Sequence, residues 1–247
     1  MRIAGGSGHL GAQEPISTRY VSLMVLFTLL LIACTPMIAC TPSAPEVPPP
    51  PVATSPEPVD ARPRVVFLGD SVTAGMGLGA EEAFPAQIAR TWEAAGLYAE
   101  VVNAGVSGDT TAGGLRRLDW ILGQKPEVVV VALGANDMLR GLPPEEAEAN
   151  LRLLVTRAKA AGSAVVLVGM RANPTLGPDY VARFEGLYPR LAEELGVPLV
   201  PFLLEGVAGV EALNQADGIH PTAGGQAKVA AEVGAVVEPV LRARLGR

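Results

Sequence analysis

A run of large apolar residues ends abruptly in the stretch Val65-Val66-Phe67-Leu68-Gly69-Asp70-Ser71, where Val-Val-Phe-Leu is followed at once by Gly-Asp-Ser. A short apolar run bounded by turn residues is typical of a strand that is buried on both faces, as in a parallel sheet. Open α/β sheets bind their ligands beyond the carboxyl ends of such strands. The stretch therefore predicts a sheet that presents the hydroxyl group of Ser71 at its ligand-binding edge.

From Arg64 onward, strand-like and helix-like segments alternate, which predicts a parallel sheet covered by helices on both faces. The five predicted strands are 65–68, 100–102, 128–133, 164–168 and 198–200. The predicted helices are 81–95, 110–122 with Asp109 as its N-cap, 144–161, 179–195 and 222–245. We therefore expect residues 64–247 to form one three-layer α/β/α domain with a five-stranded parallel sheet.

Composition narrows the chemistry that this domain could perform. The net charge is −6 and no basic cluster occurs, which argues against nucleic-acid binding and against a charged membrane-surface patch. The two cysteines, Cys34 and Cys40, lie near the N-terminus, and the two histidines are His9 and His220. A cysteine nucleophile, a thiolate metal site and a histidine-rich metal site are therefore excluded from residues 64–247. We expect no metal and no cofactor, and any catalytic imidazole in the domain must belong to His220.

The N-terminal region resembles an export signal. Residues 21–33 form a 13-residue apolar run, a length that fits a signal peptide and is short for a membrane span. The run ends in Leu31-Ile32-Ala33-Cys34, which resembles the processing box of bacterial lipoproteins, whereas Met37-Ile38-Ala39-Cys40 is a poorer candidate. We expect residues 1–33 to be a signal peptide and Cys34 to carry lipid chains. The protein would then be exported and anchored on the outer side of the cytoplasmic membrane, in the periplasm or on the outer membrane. An uncleaved anchor and a disulfide loop between the two cysteines are the alternatives.

Residues 34–63 connect this predicted anchor to the domain. The segment 42–63 holds nine prolines in 22 residues, with Ser, Thr, Ala and Glu between them. Such a segment has too few apolar residues to form a core. We expect an extended tether, partly in the polyproline II conformation, that holds the domain away from a membrane. The alternative is a ligand for a proline-binding partner.

Polar loops follow four of the five predicted strands. They contain Gly69-Asp70-Ser71, residues 103–110 with Gly105, Gly134-Ala135-Asn136-Asp137, and Asp217-Gly218-Ile219-His220-Pro221. Because parallel strands end at the same edge of a sheet, we expect these loops to lie close together. Together they contain the groups that hydrolysis of an acyl bond requires, namely a nucleophile, a base, a residue that orients the base, and donors for the oxyanion.

Ser71 is the candidate nucleophile, and His220 is the imidazole that could act as its base. Asp217 lies three residues before the histidine, a spacing that lets its carboxylate reach Nδ1 and leaves Nε2 free to face the serine. The candidate oxyanion donors are the backbone N–H groups of Ser71 and Gly105 and the side-chain amide of Asn136. Each of these residues, taken alone, has an ordinary explanation as a turn or capping residue.

Together, the four loops resemble the sequence blocks of the SGNH, or GDSL-type, esterase/lipase superfamily. The Ser, Gly, Asn and His that name this superfamily correspond to Ser71, Gly105, Asn136 and His220. Longer stretches, such as Val197-Pro198-Leu199-Val200-Pro201-Phe202, are similar to the branch of multifunctional bacterial thioesterase, lysophospholipase and arylesterase enzymes.

The resemblance implies a flavodoxin-like fold and a metal-independent Ser-His-Asp mechanism that passes through an acyl-enzyme. It implies small-molecule substrates, namely aryl and acyl esters, lysophospholipids and acyl thioesters. In that branch the loop after the Asn helps to shape the acyl groove, so Met138, Leu139 and Leu142 are candidate substrate-binding residues. Met138 stands where close relatives commonly have Gly. We also expect a monomer.

Two further functions are open at this point. SGNH proteins include deacetylases that act on O-acetyl groups of carbohydrates, and the same catalytic residues would serve them. The apolar side chains of Met138, Leu139 and Leu142 favour lipid-like or aryl esters instead. The second alternative is a lipoprotein that has kept the fold and only binds a lipid or a partner.

Overall fold

The structure is a computed structural model, and it describes residues 62–246. Five strands form its sheet: β1 (Arg64–Gly69), β2 (Glu100–Gly105), β3 (Val128–Ala132), β4 (Ala164–Val168) and β5 (Leu199–Val200). The helices in these residues are α1 (Ser71–Ala74), α2 (Phe84–Ala94), α3 (Thr111–Leu122), α4 (Ala135–Leu139), α5 (Pro144–Ala160), α6 (Pro178–Leu195) and α7 (Ala223–Arg244). The predicted signal peptide, the lipid-bearing Cys34 and nearly all of the tether lie outside the described residues.

The five strands are parallel, and their spatial order is β2-β1-β3-β4-β5. The chain therefore moves to one side of β1 first and then to the other. Because βαβ crossovers are right-handed, this reversal places α2 on one face of the sheet and α3, α5 and α6 on the opposite face. Helix α7 packs beside α2, and α5 packs between α3 and α6. The predicted α/β/α fold with a flavodoxin-like strand order is thus confirmed.

The central strands are buried because helices cover both of their faces. Every residue of β3, which reads Val-Val-Val-Val-Ala, is fully buried, and so are Val65 to Leu68 of β1. Continuous runs of this kind are expected in a parallel sheet, where neither face meets water. Burial of each large apolar side chain contributes about 1.5–3 kcal/mol, so the end of β1 is anchored in the buried centre of the sheet.

The strand order reverses between β1 and β3. In an open α/β sheet, ligands bind in the crevice that forms at such a point, outside the carboxyl ends of the strands. The register pairs Gly69 with Ala132, so the residues that follow these two positions enter the crevice side by side. Ser71 and the segment 134–137 are therefore brought together by the topology of the sheet.

Several predicted boundaries differ from the observed ones. The helix predicted over 81–95 begins at Phe84, after a 3₁₀ turn at Ala80–Glu82. Pro85 lies in the first turn of α2, where proline is tolerated, and the extended backbone of Ala83 separates this helix from the 3₁₀ turn. Strand β2 is longer than the predicted 100–102, because it pairs with β1 along its whole length up to Gly105.

The prediction that Asp109 is the N-cap of α3 was wrong. Thr110 caps the helix, and its hydroxyl accepts a hydrogen bond from the Gly113 N–H at 3.2 Å. Asp109 instead forms an ion pair with Arg117, with 2.7 Å between the carboxylate and Nε. Both side-chain types are good N-caps, so this ion pair is what separates their roles.

Helix α7 closes the fold. Thr222 is its N-cap, accepting a hydrogen bond from the Gly225 N–H at 3.3 Å, so the helix starts one residue after the predicted position. In residues 62–246, neither α7 nor any other helix is both long and apolar enough to cross a membrane.

Candidate active site

Asp70 and Ser71 form the turn between β1 and α1. A carboxylate oxygen of Asp70 accepts a hydrogen bond from the Val72 N–H at 3.1 Å, which makes Asp70 the N-cap of this short helix. Ser71 is the first residue of α1, and 9% of its surface is exposed. Its backbone N–H has no acceptor among the described residues, as is usual in the first turn of a helix. The turn thus presents both a hydroxyl group and an unpaired N–H donor.

Arg117 supports this turn from α3. Its Nη2 donates to the carbonyl oxygen of Gly69 at 2.8 Å, and its Nη1 donates to that of Ala104 at 2.6 Å. The guanidinium therefore joins the carboxyl ends of β1 and β2, while its Nε is held by Asp109. Arg117 was not predicted to be part of the site.

Asp217, Gly218, Ile219 and His220 form a tight turn in which the aspartate binds the histidine twice. One carboxylate oxygen of Asp217 accepts the backbone N–H groups of Ile219 and His220, both at 3.0 Å. The other oxygen lies 2.6 Å from His220 Nδ1. The His220 N–H, the imidazole and the Ile219 N–H together lower the pKa of Asp217 to about 2. The aspartate is therefore a carboxylate at any pH near neutrality.

The other ring nitrogen of this histidine faces the serine. His220 Nε2 lies 2.8 Å from Ser71 Oγ, although the two residues are 149 positions apart in the chain. The imidazole is mostly buried, with 12% of its side chain exposed. Ser71, His220 and Asp217 thus form one continuous chain of hydrogen bonds, which is the arrangement that the loop spacing predicted.

Gln215 attaches the histidine turn to the serine turn. Its side-chain amide donates to the carbonyl oxygens of Met76 at 2.7 Å and Pro221 at 2.9 Å. Its backbone N–H donates to the His220 carbonyl at 2.7 Å. Gln215 was not predicted to be part of the site, because an isolated glutamine in a loop carries no motif signal.

Gly105 is placed at the crevice with no room for a side chain. A Cβ atom there would lie 2.3 Å from the Ala74 backbone nitrogen and 2.8 Å from the Asp70 carbonyl oxygen. The Gly105 N–H donates to the side-chain oxygen of Asn103 at 3.0 Å, and the Asn103 amide donates to the Thr73 carbonyl at 2.8 Å. An incoming acyl oxygen must therefore share this donor with Asn103 or displace it.

Asn136 reaches the same crevice from the first turn of α4. Its Nδ2 donates to a carboxylate oxygen of Asp70 at 3.3 Å. An amide NH₂ group carries two hydrogens, so one remains available for a second acceptor. The third predicted donor is thus held in position by the residue that also caps α1.

Asp70 is almost completely buried, with 1% of its surface exposed. Burial raises its pKa from 3.8 to about 6, against the lowering effects of the Val72 N–H, of His220 and of Asn136. The folded protein therefore holds this proton more tightly than the unfolded chain does. Its contribution to stability is complete below pH 3.8 and is lost as the pH rises through about 6.

This linkage predicts that the Asp70→Asn variant becomes more stable relative to the wild type as the pH rises. The asparagine oxygen can still accept the Val72 N–H, and the side chain no longer ionises. The difference between the pKa values of 3.8 and about 6 corresponds to about 3 kcal/mol of unfolding free energy when Asp70 goes from fully protonated to fully ionised. Urea unfolding of both proteins should show the variant gaining about 2–3 kcal/mol relative to the wild type between pH 4 and pH 7. A pH-independent difference would contradict a titrating Asp70.

A cavity of about 580 Å³ opens beside Ser71 and His220. Its apolar walls come from the loops after β3, β4 and β5, and include Met138, Leu139, Met170, Phe202 and Leu203. Two of the three predicted substrate-binding residues, Met138 and Leu139, thus line the cavity. Cavities with mainly apolar walls and a few polar groups are the usual form of small-molecule sites.

Leu142, the third predicted substrate-binding residue, is not among the residues that line this cavity. Its backbone N–H donates to the Asp137 carbonyl at 2.9 Å, and its carbonyl accepts the Tyr180 hydroxyl at 2.8 Å. Leu142 therefore closes the loop after α4 through its backbone. Among residues 62–246, no group of three His, Cys, Asp or Glu side chains is arranged to hold a metal ion.

Comparison with known protein families gives one match that spans the whole site. The GDSL-like Lipase/Acylhydrolase family matches residues 67–228, from within β1 to the first turns of α7. The chain belongs to this family. This match confirms the resemblance indicated by the sequence. It also confirms the expectation that the protein is a hydrolase.

The GDSL-like relatives include named esterases. Esterase TesA of Pseudomonas aeruginosa is 40% identical over 178 residues, which cover 72% of this chain and 89% of that protein. Thioesterase 1/protease 1/lysophospholipase L1 of Escherichia coli is 38% identical over 178 residues, covering 72% and 84%. The crystal structure of TesA has a TM-score of 0.69 at 39% identity, covering 72% of this chain and 99% of that chain.

A further GDSL-like structure was solved with an inhibitor. The psychrotrophic esterase EstA from Pseudoalteromonas sp., inhibited by monoethylphosphonate, has a TM-score of 0.69 at 32% identity. The similarity covers 72% of this chain and 98% of that chain. The fold described above is therefore shared, almost over their full length, with solved esterases.

Proposed function

We propose that this protein is a serine hydrolase that cleaves carboxyl esters and thioesters, including aryl esters, acyl esters and lysophospholipids. The observation that carries the proposal is the hydrogen-bonded chain from Asp217 through His220 to Ser71, with links of 2.6 and 2.8 Å, at the wall of an apolar cavity. A serine hydroxyl is a weak nucleophile until a base accepts its proton. Here the base, and the carboxylate that orients it, are already within hydrogen-bond distance.

In the first half-reaction, Ser71 Oγ attacks the carbonyl carbon of the ester while its proton passes to His220 Nε2. Asp217 accepts the Nδ1 proton in a hydrogen bond, which fixes the tautomer and stabilises the imidazolium. The tetrahedral intermediate collapses as the imidazolium gives its proton to the leaving alcohol or thiol. The acyl group then remains on Ser71 as an ester.

In the second half-reaction, water attacks the acyl-enzyme. His220 accepts a proton from the water and returns it to Ser71 Oγ when the second intermediate collapses. The products are the free acid and the regenerated serine, so no metal or cofactor takes part in either step. Both half-reactions pass through an oxyanion at the same position.

We assign three donors to that position. The Ser71 N–H is unpaired, the Asn136 amide has a second hydrogen available, and the Gly105 N–H is shared with Asn103. Donors held in place before the reaction stabilise a developing oxyanion most strongly. Loss of one such donor typically costs ~10²–10³ in kcat.

The cavity supports acyl and aryl substrates over acetylated carbohydrates. Met138, Leu139, Met170 and Phe202 would contact an acyl chain or an aromatic ring. The lining also includes polar side chains such as Asn173, but its surface is mainly apolar, which suits an acyl chain or an aromatic ring better than a sugar. Similarity to an esterase and to a thioesterase/lysophospholipase supports the same substrate class.

We also propose that the enzyme is exported and lipid-anchored, and that it acts as a monomer. Support for the anchor comes from the sequence Leu31-Ile32-Ala33-Cys34 after an apolar run, and from the proline-rich segment that follows. Mass spectrometry of the native N-terminus tests this directly. A mature chain that begins at a lipid-modified Cys34 is the expected result, and an unmodified residue ahead of Cys34 would contradict the anchor.

The catalytic proposal predicts hydrolysis and covalent labelling by the same residue. The purified protein should hydrolyse p-nitrophenyl butyrate, and a fluorophosphonate probe should label Ser71, as peptide mapping would show. Phosphonates are suitable probes, since the relative EstA is inhibited by one. A folded protein that neither turns over esters nor reacts with the probe would favour a binding role instead.

A further inference from the structure

One cation lies in the wall of the catalytic cavity. Of the lysines and arginines in the described residues, Arg171 alone lines it. It follows β4, in the loop that forms the wall opposite α4. The catalytic steps above make no use of this charge. In a mainly apolar substrate cavity, a single cationic side chain favours a substrate with a negatively charged part.

Arg171 is held in place by an aromatic ring. Its guanidinium carbon lies 4.6 Å from the centroid of Phe202, which lines the same cavity and is 9% exposed. A guanidinium group that stacks on a ring keeps its N–H donors at its edges, where they can bind a second group. The stacking therefore orients the guanidinium without occupying its N–H donors.

The charge of Arg171 is only weakly neutralised by the protein. Its ion-pair partner is Glu205 at 3.3 Å, and both side chains are 57% exposed. Exposed pairs of this kind contribute little, because water screens them and both side chains lose conformational freedom. A phosphate group has more oxygens that accept hydrogen bonds than a carboxylate has, and it suits the guanidinium fork. It can therefore replace Glu205 as the partner of Arg171.

We propose that Arg171 binds the phosphate of a phosphate-bearing acyl ester, and specifically the glycerophosphate group of a lysophospholipid. This inference rests on the proposed hydrolase function and adds a subsite that selects the alcohol part of the substrate. Acyl-coenzyme A offers the same phosphate chemistry at a different distance from the reacting carbonyl. The spacing between strands of the sheet distinguishes the lysophospholipid from acyl-coenzyme A as the source of the phosphate.

Strands β1 and β4 are two positions apart, since β3 lies between them. At 4.7–4.9 Å per strand, the backbones that carry Ser71 and Arg171 are about 10 Å apart across the sheet. An extended chain gains about 1.2 Å per bond, so the six bonds from an ester carbonyl to the phosphorus of a lysophospholipid span about 7 Å. The arginine side chain spans a similar length and can close the remaining gap. The nearest phosphate of coenzyme A is about 14 bonds away, roughly 17 Å, which overshoots this position.

The test compares two esters that differ only in the phosphate. 1-Octanoylglycerol 3-phosphate and 1-octanoylglycerol share one acyl chain, and at this length both can be assayed below their aggregation limits. The quantity of interest is the ratio of kcat/KM for the phosphate-bearing ester to that for the neutral one. It is measured for the full chain, for Arg171→Gln and for two control variants.

In Arg171→Gln we expect this ratio to fall by about tenfold, mainly through KM, because a hydrogen-bonded charge pair is lost. In Glu205→Gln the ratio should rise, because the competing carboxylate is gone. Arg140→Gln is the matched control, since Arg140 is an exposed arginine after α4 that does not line the cavity and donates to the Gly108 carbonyl. Its ratio should equal that of the wild type.

An unchanged ratio in Arg171→Gln would overturn the proposal. If activity also fell equally on both esters, the arginine would only shape the cavity. The same ratio can be measured for octanoyl-coenzyme A against octanoyl-N-acetylcysteamine. If Arg171→Gln lowers the ratio for this thioester pair but not for the pair of glycerol esters, the glycerophosphate assignment is overturned. Calorimetry with octyl phosphate against octanol supplies a test that does not require turnover. Preferential binding of octyl phosphate by the wild type, lost in Arg171→Gln, supports the subsite even if ester hydrolysis itself is not observed.

Discussion

With Ser71→Ala, kcat/KM for p-nitrophenyl butyrate is expected to fall by about 10⁵-fold or more. The variant loses the oxygen that lies 2.8 Å from His220 Nε2, so no acyl-enzyme can form. The residual rate would come from the remaining oxyanion donors and from substrate binding. Steady-state kinetics on the purified variant, with labelling by a fluorophosphonate, measures both losses.

The fold should survive this substitution. The N-cap hydrogen bond between Asp70 and the Val72 N–H does not involve the serine side chain, and alanine is favourable in a helix. Ser107→Ala is the matched control, because Ser107 is an exposed serine in the neighbouring loop after β2. Its activity should stay within twofold of the wild type, and its thermal unfolding should match that of Ser71→Ala. If Ser71→Ala retained a tenth of the wild-type rate with the same unfolding temperature, the nucleophile would lie elsewhere.

The parts of the fold that were predicted correctly are those whose residues define their own surroundings. β3 and β4 are continuous runs of β-branched residues, which fit only a strand covered on both faces, and their predicted bounds differ from the observed ones by at most one residue. The histidine turn was equally local. Asp217 and His220 are three residues apart, so their hydrogen bond depends on one turn rather than on distant packing.

The parts that could not be predicted depend on contacts between distant residues. Asp109 and Thr110 are both good N-caps, and only Arg117, eight residues after the aspartate, decides which of them caps α3. Likewise, the Gly105 N–H was predicted to be an oxyanion donor, and in the structure it donates to Asn103, whose own position depends on the Thr73 carbonyl in another loop. Sequence spacing carries no information on such side-chain positions.

The cavity wall illustrates the same limit. The residues after Asn136 were expected to line an acyl groove as a loop, but they form the short helix α4. The helix brings Met138 and Leu139 to the cavity, and the chain has turned away by Leu142. The opposite wall includes Arg171 and Phe202. Phe202 lies in a stretch that resembles the family, but neither residue was predicted to line the cavity, because strand and loop patterns do not show which side chains face it.

The second large effect is expected for Asp217→Asn, with a fall of about 10⁴-fold in kcat/KM, by analogy with the Ser-His-Asp template. The asparagine oxygen can keep the two backbone hydrogen bonds to Ile219 and His220 that now measure 3.0 Å. The amide NH₂ then occupies the position 2.6 Å from Nδ1 and donates to it. The ring proton must therefore move to Nε2, which would donate to Ser71 Oγ instead of accepting its proton.

This substitution separates the orienting role of the carboxylate from its structural role. Asp217→Ala loses the turn as well as the carboxylate, so it should be both inactive and less resistant to heat than Asp217→Asn. Asp179→Asn, at an exposed aspartate in the first turn of α6, controls for the loss of one negative charge and should keep wild-type activity.

Because the pKa of Asp217 is about 2, the wild-type carboxylate stays ionised between pH 5 and pH 9. The ratio of wild-type to Asp217→Asn rates should thus show no step across that range from the aspartate itself. A variant with more than a tenth of wild-type activity would mean that His220 keeps its tautomer without Asp217, and that another acceptor holds Nδ1–H.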